Sequence, residues 1–397
     1  MANISPPKYV RHILTTLQSR GCPAYLVGGC VRDMLLGVRP QDWDICTGAL
    51  PEQVMEIFPG SLPIGIKHGT VTVKVNSRLV EVTTFRRESA YSDHRHPDMV
   101  SFVGDLTTDL SRRDFTVNAM ALSVDGFISD PFGGTEDIQR RLIRCVGAPE
   151  KRFGEDALRM LRALRFSAKL GFDIEGQTMA AIEKKAPLAA ELAPERVRVE
   201  LEKLILSPEP EKAFLAFKLG LMESYTVCRP IREDAWHGLR HLPKKPLYRW
   251  AALCELLAGE GCVKSAEEFL TALRLDGRTL RCCASAGELL SVEMPQSPVE
   301  WKRRLRDHGV DAVSVAAAVS DALRGGNRRK ELKAVLKSGE CFSMKHLAVT
   351  GDDLLSLGLE GRELGNMLEF LLDYVIEFPG FNRRELLLSL ATGTEDQ

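Results

Sequence analysis

Residues 25–47 read YLVGGCVRDMLLGVRPQDWDICT. Tyr25, Leu26 and Val27 have the character of a short buried strand, which Gly28-Gly29 breaks. Val31 to Leu36 has helical spacing, and Gly37 and Pro40 end that helix. Trp43 and Ile45 flank Asp44 like a second strand, so Asp42 and Asp44 fall on one face, about 6–7 Å apart at the backbone. Carboxylates so spaced can converge on a divalent metal. The glycines let the backbone approach a triphosphate, the helix start favours an anion, and Arg32 adds a fixed positive charge. This order proposes phosphate on one side, metal on the other, and a reacting phosphorus between them. A glycine pair also serves as a plain tight turn, and Asp-x-Asp as a solvated loop.

The run GGCVRDMLLG followed by DWD resembles the nucleotidyltransferase superfamily, in the branch holding tRNA CCA-adding enzymes and poly(A) polymerases. Further stretches are similar to that branch. Thr70 to Phe85 reads as a hairpin turning at Asn76-Ser77, with Glu81 in mid-strand before TTFR. Glu81 fits a solvated face; the resemblance makes it a third carboxylate beside Asp42 and Asp44. RRDFTVNAMA (112–121) precedes what reads as an apolar helical run. There Asp114 serves as a cap, or, by resemblance, joins Arg113 at the nucleotide's sugar and phosphates.

Arg152 to Leu170 reads as one helix with an apolar stripe of Leu158, Leu161, Leu164 and Ala168. Asp156, Arg159, Arg162 and Arg165 recur every third residue as a polar ridge. An Asp acceptor beside an Arg donor matches the Watson–Crick edges of cytosine and adenine and opposes those of guanine and uracil. An ordinary exposed ion-pair ridge has the same pattern. The resemblance assigns Asp156 and Arg159 to the base, and Arg162 and Arg165 to the nucleotide and growing end. PERVRVELEKLIL (194–206) is similar to the family's next motif, with Glu195 and Arg196 bracing that helix.

The remaining features bound the answer. A length of 397 residues suggests two to four domains. Strand signals fade beyond Asp137, so the fold class is α+β: an α/β head with a mixed sheet, then an all-α neck, body and tail. The expected spans are 1–142 for the head, 143–203 for the neck, 204–300 for the body and 301–397 for the tail. A net charge of −1 excludes a uniformly nucleic-acid-coating protein but leaves room for a basic track along Arg140, Arg141, Arg144, Lys151, Arg152 and Lys169. Ten scattered cysteines without Cys-x2-Cys spacing suggest reduced thiols in the cytoplasm and no zinc site. His237 and His241 lack the glutamate of a zinc motif. No signal peptide and no membrane-length apolar run appears. Trp236 and Trp250 read as core. The basic runs WKRRLR (301–306) and 327–337 read as solvated helix faces or RNA contacts, and Gly358, Gly361 and Gly365 around Arg362 as a helix start near phosphate.

The resemblance implies template-independent addition of C, C and A to the 3′ end of immature or 3′-damaged tRNA. Its substrates are CTP and ATP, and its cofactor is Mg2+ held by Asp42 and Asp44 with help from Glu81. Gly28, Gly29, Arg32, Arg113 and Asp114 are expected at the nucleotide's phosphates and sugar. A homodimer is compatible with it, a membrane role is not. The polar stretch Arg86–Asp98 reads as a mobile loop, and its presence favours full CCA addition over a CC-adding enzyme. A poly(A) polymerase would be expected to carry a longer basic C-terminal region, which is not seen here. A non-catalytic RNA-binding module would be expected to lose a carboxylate, and the glycines lack the GxGxxG of a dehydrogenase.

Overall fold

The computed structural model describes residues 5–88 and 100–393. They form two compact units, Met1–Ser224 and Tyr225–Gln397. This division falls inside the stretch 204–300 expected as one body.

Among the described residues the first unit carries every strand: β1 Ala24–Val27, β2 Asp44–Thr47, β3 Thr70–Val75, β4 Arg78–Thr84, β5 Arg86–Glu88, β6 Val100–Phe102, β7 Ala121–Leu122, β8 Ile128–Ser129, β9 Leu142–Ile143 and β10 Asp173–Ile174. Its helices are α1 Lys8–Ser19, α2 Gly29–Leu35, α3 Pro51–Ile57, α4 Leu106–Ser111, α5 Gly134–Arg140, α6 Pro149–Glu155, α7 Leu158–Leu170, α8 Gly176–Lys185, α9 Pro194–Ile205 and α10 Ala213–Lys218. The main sheet has the order β3-β4-β2-β1-β7-β8. It is mixed: β2 and β4 run parallel, whereas β3–β4, β1–β2, β1–β7 and β7–β8 are antiparallel. Leu26 and Ile45 enter a core with Val10, Ile13 and Leu17 of α1, while their neighbours Val27 and Cys46 enter a second core with Phe85 and Leu110. The two-residue period thus buries both faces of the sheet. Each fully buried aliphatic contributes roughly 1.5–3 kcal/mol over leaving it exposed.

Four local expectations need correction. Asp42 precedes β2 in a bend, so it does not share a strand face with Asp44. The run after Asp114 is a single 3-10 turn, Thr116–Asn118, and then β7, because the strand completes the sheet beside β1. Arg86–Glu88 is not loop but strand, paired with Val100–Phe102; the remainder of the expected mobile loop, 89–98, lies outside the described residues. Arg152–Leu170 is two helices. Asp156 takes extended dihedrals (φ −146°, ψ 104°), and its carboxylate accepts the Leu158 N–H at 3.1 Å. The side chain thus competes with the helix for a backbone donor. The apolar stripe of α7 is buried as read. Beyond Asp137 strands nearly vanish, save the parallel two-residue pair β9–β10.

The second unit is helical: α11 Pro246–Gly259, α12 Ala266–Ala272, α13 Gly277–Leu290, α14 Pro298–Arg324, α15 Arg328–Ser338, α16 Gly351–Leu355, α17 Gly361–Glu377 and α18 Arg384–Thr392. Trp236 and Trp250 are fully buried, as expected of core residues. α14 kinks at Gly309, whose φ of 77° favours glycine. The run at 301–306 is no simple solvated face: Trp301 and Lys302 are buried, Lys302 pairs with Glu340 at 2.8 Å, and Arg306 pairs with Asp373. Among the described residues no helix is long and apolar enough to cross a membrane.

Candidate functional site

Asp44 opens β2 directly opposite Glu81 of β4 in parallel register. Neighbouring strands lie about 4.8 Å apart, which brings these carboxylates into one electrostatic neighbourhood. Asp42, Asp44 and Glu81 all keep solvent-facing surface. The surrounding protein nevertheless strips enough water from Asp44 to raise its pKa, Arg113 opposes that rise, and repulsion from Glu81 and Asp42 adds to it. Asp42 and Asp44 line a cleft of about 380 Å³ with Gly29, Arg32, Arg39 and Lys169. Among the described residues no three His, Cys, Asp or Glu groups form a complete metal cage. An exposed set of mutually repelling carboxylates still suits Mg2+. That ion takes one or two carboxylates and completes its shell with waters and substrate phosphates.

The glycine turn sits beside this edge. Gly28 has φ +78°, and a Cβ there would lie 3.0 Å from Arg113 Nη1, so the backbone and the guanidinium need each other's close approach. Arg113 reaches Asp109 at 3.4 Å, while its Nε is buried with no hydrogen-bond partner. Buried donors rarely stay unsatisfied. The Nη1 of the same guanidinium is the atom beside the turn expected to cradle phosphate. Arg32 is not a free hand toward solvent. It is 2% exposed, donates to Asn118 Oδ1 at 2.5 Å and to Asp33 at 2.7–2.9 Å, and lies 5.4 Å from the Phe166 ring centroid. The neighbouring Cys30 thiol is pushed up to about 11, chiefly by burial, so it stays protonated at neutral pH.

Asp114 turns inward. It accepts from Arg162 Nε at 2.9 Å, Asn118 Nδ2 at 3.2 Å and the Phe115 N–H at 2.8 Å. Burial alone would raise its pKa; Arg162 and these donors outweigh it and leave the group at about 2. Asn118 therefore bridges Arg32 behind the glycine turn to Asp114, which holds Arg162 on α7.

Asp156 and Arg159 are brought to the same helix start but do not pair with each other. Asp156 receives Arg196 Nη2 at 3.0 and 3.2 Å. Arg159 donates to Glu155 at 2.9 Å and to the Arg112 carbonyl at 3.2 Å. Arg165 binds Glu200 at 2.5 Å. Three guanidinium groups, from Arg32, Arg162 and Arg165, lie 5.4, 5.4 and 4.0 Å from the centroid of Phe166. Asn118, Glu155, Glu200 and Phe166 escaped sequence reasoning as site residues. The first lies inside RRDFTVNAMA, and Phe166 closes the arginine ridge, so position within a motif was the available signal. Glu200 lies inside PERVRVELEKLIL on α9, but nothing in that stretch pointed to Arg165 as its partner.

Residues 24–144 match the Poly A polymerase head domain, and residues 171–225 match the probable RNA- and SrmB-binding site of polymerase A. A CCA-adding enzyme of Geobacillus sp. (strain WCH70) is 41% identical over 86% of this chain and 85% of its own. The CCA-adding enzyme of Geobacillus kaustophilus (strain HTA426) is 39% identical over 91% of this chain and 90% of its own. The crystal structure of the Bacillus stearothermophilus CCA-adding enzyme in complex with CTP superposes with a TM-score of 0.83 at 34% identity, covering 98% of both chains.

Proposed function

The chain belongs to the family of CCA-adding enzymes, and we propose that it adds C, C and A to the 3′ end of tRNA from CTP and ATP, without a template, releasing pyrophosphate. The observation that carries the reading is the meeting of two things at one edge of the sheet. Asp44 stands in register with Glu81, and a glycine turn presses against Arg113, whose Nε has no partner.

Asp42 and Asp44, with Glu81, would hold Mg2+. Held there, it would supply acidification of the terminal ribose hydroxyl and neutralisation of charge on the departing pyrophosphate. The chain's own groups do the positioning. The Gly28–Gly29 turn lets the triphosphate lie close to the backbone, beside the Arg113 guanidinium that packs against Gly28. Arg32 fixes the turn from behind through Asn118. Asp114 aims Arg162 along the nucleotide, and Glu200 aims Arg165. Holding both reactants in line contributes through orientation, and the fixed charges through preorganised electrostatics.

Asp156 and Arg159 read the base. A carboxylate has about four acceptor positions, and Arg196 with the Leu158 N–H leaves some for the exocyclic amine of cytosine or adenine. Arg159 keeps guanidinium protons beyond those given to Glu155 and the backbone, for the ring nitrogen. Guanine and uracil present the opposite pattern, at a loss of roughly 1–3 kcal/mol per unmatched buried group. On this reading residues 1–142 do the chemistry, 143–203 choose the nucleotide, 204–300 form a helical body, and 301–397 bind tRNA. The protein works in the cytoplasm, in keeping with its free cysteines.

Purified protein incubated with Mg2+, labelled nucleotides and tRNA lacking its last three nucleotides tests the proposal. CTP alone should extend the tRNA by two residues, and ATP should then add one. Products that stop at two cytidines, or that carry a long adenosine tail, would replace full CCA addition with a narrower or different polymerase activity.

A further inference from the structure

Of the ten cysteines, Cys228 is exposed, Cys22 is half-buried and the rest are buried. Cys228 does not stand alone. Its Sγ lies 3.0 Å from the Sγ of Cys262, 34 positions further along the chain, and both are free thiols. Both S–H groups also reach one acceptor, the Glu260 carbonyl, at 3.9 and 3.8 Å.

Local structure brings the two sulfurs together and keeps them there. α11 ends in a turn that places Gly261 at φ +67°. In that turn the Gly261 N–H donates to the Ala258 carbonyl at 2.9 Å, and the Cys262 N–H to the Leu257 carbonyl at 2.8 Å. Cys262 is thus fixed on a helix end. Residues 226–232 belong to no helix or strand and are strapped to this turn instead. The Val227 N–H donates to the Cys262 carbonyl at 2.9 Å. The Ile231 and Arg232 N–H groups donate to the Glu260 carboxylate at 2.8 and 3.1 Å. Hydrogen bonds on both sides of Cys228 therefore set its distance from Cys262. A free cysteine packs as a small hydrophobe, which accounts for the buried Cys262 but not for an exposed second sulfur against it. An accessible thiol beside a second, resolving thiol is the arrangement of a redox-sensitive site. Burial and the hydrogen bond with Cys228 push the Cys262 thiol up, so the first reaction falls to Cys228.

We propose that Cys228 and Cys262 form a redox modification site, which a peroxide converts to an intramolecular disulfide. The Cys228 thiolate attacks one peroxide oxygen, the O–O bond breaks, and the other oxygen leaves as water. Cys228 is then a sulfenic acid. The Cys262 sulfur attacks the Cys228 sulfur, the S–O bond breaks, and a second water carries away the oxygen with the Cys262 proton. Two thiols have lost two electrons to one peroxide. The bridge pins residues 226–232 to the end of α11. In a reducing compartment it is temporary, because an exposed disulfide is reopened by thiols. The site lies apart from the residues of the proposed reaction and does not depend on that reading.

The test uses the full chain, reduced and then treated with hydrogen peroxide while folded. Remaining thiols are alkylated after denaturation, and the peptides are mapped by mass spectrometry. The peptides holding Cys228 and Cys262 should be joined, and the other cysteines alkylated. The bridged protein should unfold several degrees higher, and dithiothreitol should reverse the shift. In Cys262→Ala, dimedone should label Cys228 as the trapped sulfenic acid. Reduced Cys228→Ser and Cys262→Ala should incorporate nucleotides as wild type does. Both thiols still open to alkylation after peroxide overturns the site. So does Cys228 driven to sulfinic or sulfonic acid in wild type, or joined to Cys228 of a second copy, since either would mean that Cys262 does not resolve it. Lost activity in reduced Cys228→Ser would place that residue in another role and overturn a purely redox one. Should Cys262→Ala not fold, the peptide map of the wild type still decides.

Discussion

At the start of β2, Asp44 faces Glu81 across a parallel pair and Asp42 lies two residues ahead, and among the described residues none of the three has an ion-pair partner. Along α7, Arg159, Arg162 and Arg165 are each held by a carboxylate: Glu155, Asp114 and Glu200. The first region is a surplus of like charge that the protein leaves open; the second is a set of charges already neutralised by neighbours. A surplus calls for a ligand of opposite sign, and removing one member weakens the ligand. A neutralised set can instead offer only its leftover donors and acceptors, and removing one member strands its partner.

That contrast is open to direct attack. The largest effect should follow Asp44→Asn. If the open carboxylates hold the metal, transfer in single-turnover assays should fall by about a thousandfold or more, the scale of a lost electrostatic stabiliser, while tRNA binding and folding persist. Near-normal rates would remove the surplus from the chemistry. Next comes Asp114→Asn, which leaves Arg162 with only its 3.9 Å contact to Glu200. Breaking a buried pair typically costs about 3–5 kcal/mol, and the lower end applies here because Arg162 is 33% exposed. Urea unfolding should show the loss. The pH dependence follows from the depressed folded-state pKa of about 2. The pair's contribution is complete above the unfolded carboxyl pKa of about 3.9 and disappears as pH falls from there through about 2. A variant as stable as wild type at pH 7 would mean the pair is not structural. Asp156→Ala should come third. It should reduce discrimination against GTP and UTP by about ten- to a hundredfold, the worth of roughly 1–3 kcal/mol, with tRNA affinity unchanged. Phe166→Leu should have the smallest effect. Contacts to cations are worth about 0.5–2 kcal/mol, so KM for CTP and ATP should rise several-fold together. A change for one nucleotide only would show that Phe166 meets the base.

Much of this was legible in the sequence because it is local. The strand, glycine turn and short helix of 24–35 follow from residue type in order, and so does the Asn76-Ser77 hairpin that places Glu81. The burial of Leu158, Leu161 and Leu164 follows from period. What failed or stayed hidden depends on partners distant in sequence. Asp156 looks like a helical residue until Arg196, forty residues away, pins its carboxylate and its own oxygen captures a backbone N–H. Asp114 looks like a cap for a helix that never forms, since 121–122 is claimed by the sheet. Asp42 and Asp44 read as one strand face, yet pairing with β1 and β4 begins only at Asp44 or beyond.

The linkage from Arg32 through Asn118 and Asp114 to Arg162 has a bearing on the rhythm of turnover. It fastens the place where phosphates would lie to the helix where the base would be read. The parts of the site are thus ordered when the chain folds, not afresh at each encounter. A process that repeats itself three times on one RNA end gains from this each time: the entropy of assembling the pocket is spent once per molecule of protein, and the successive nucleotides meet a frame already set.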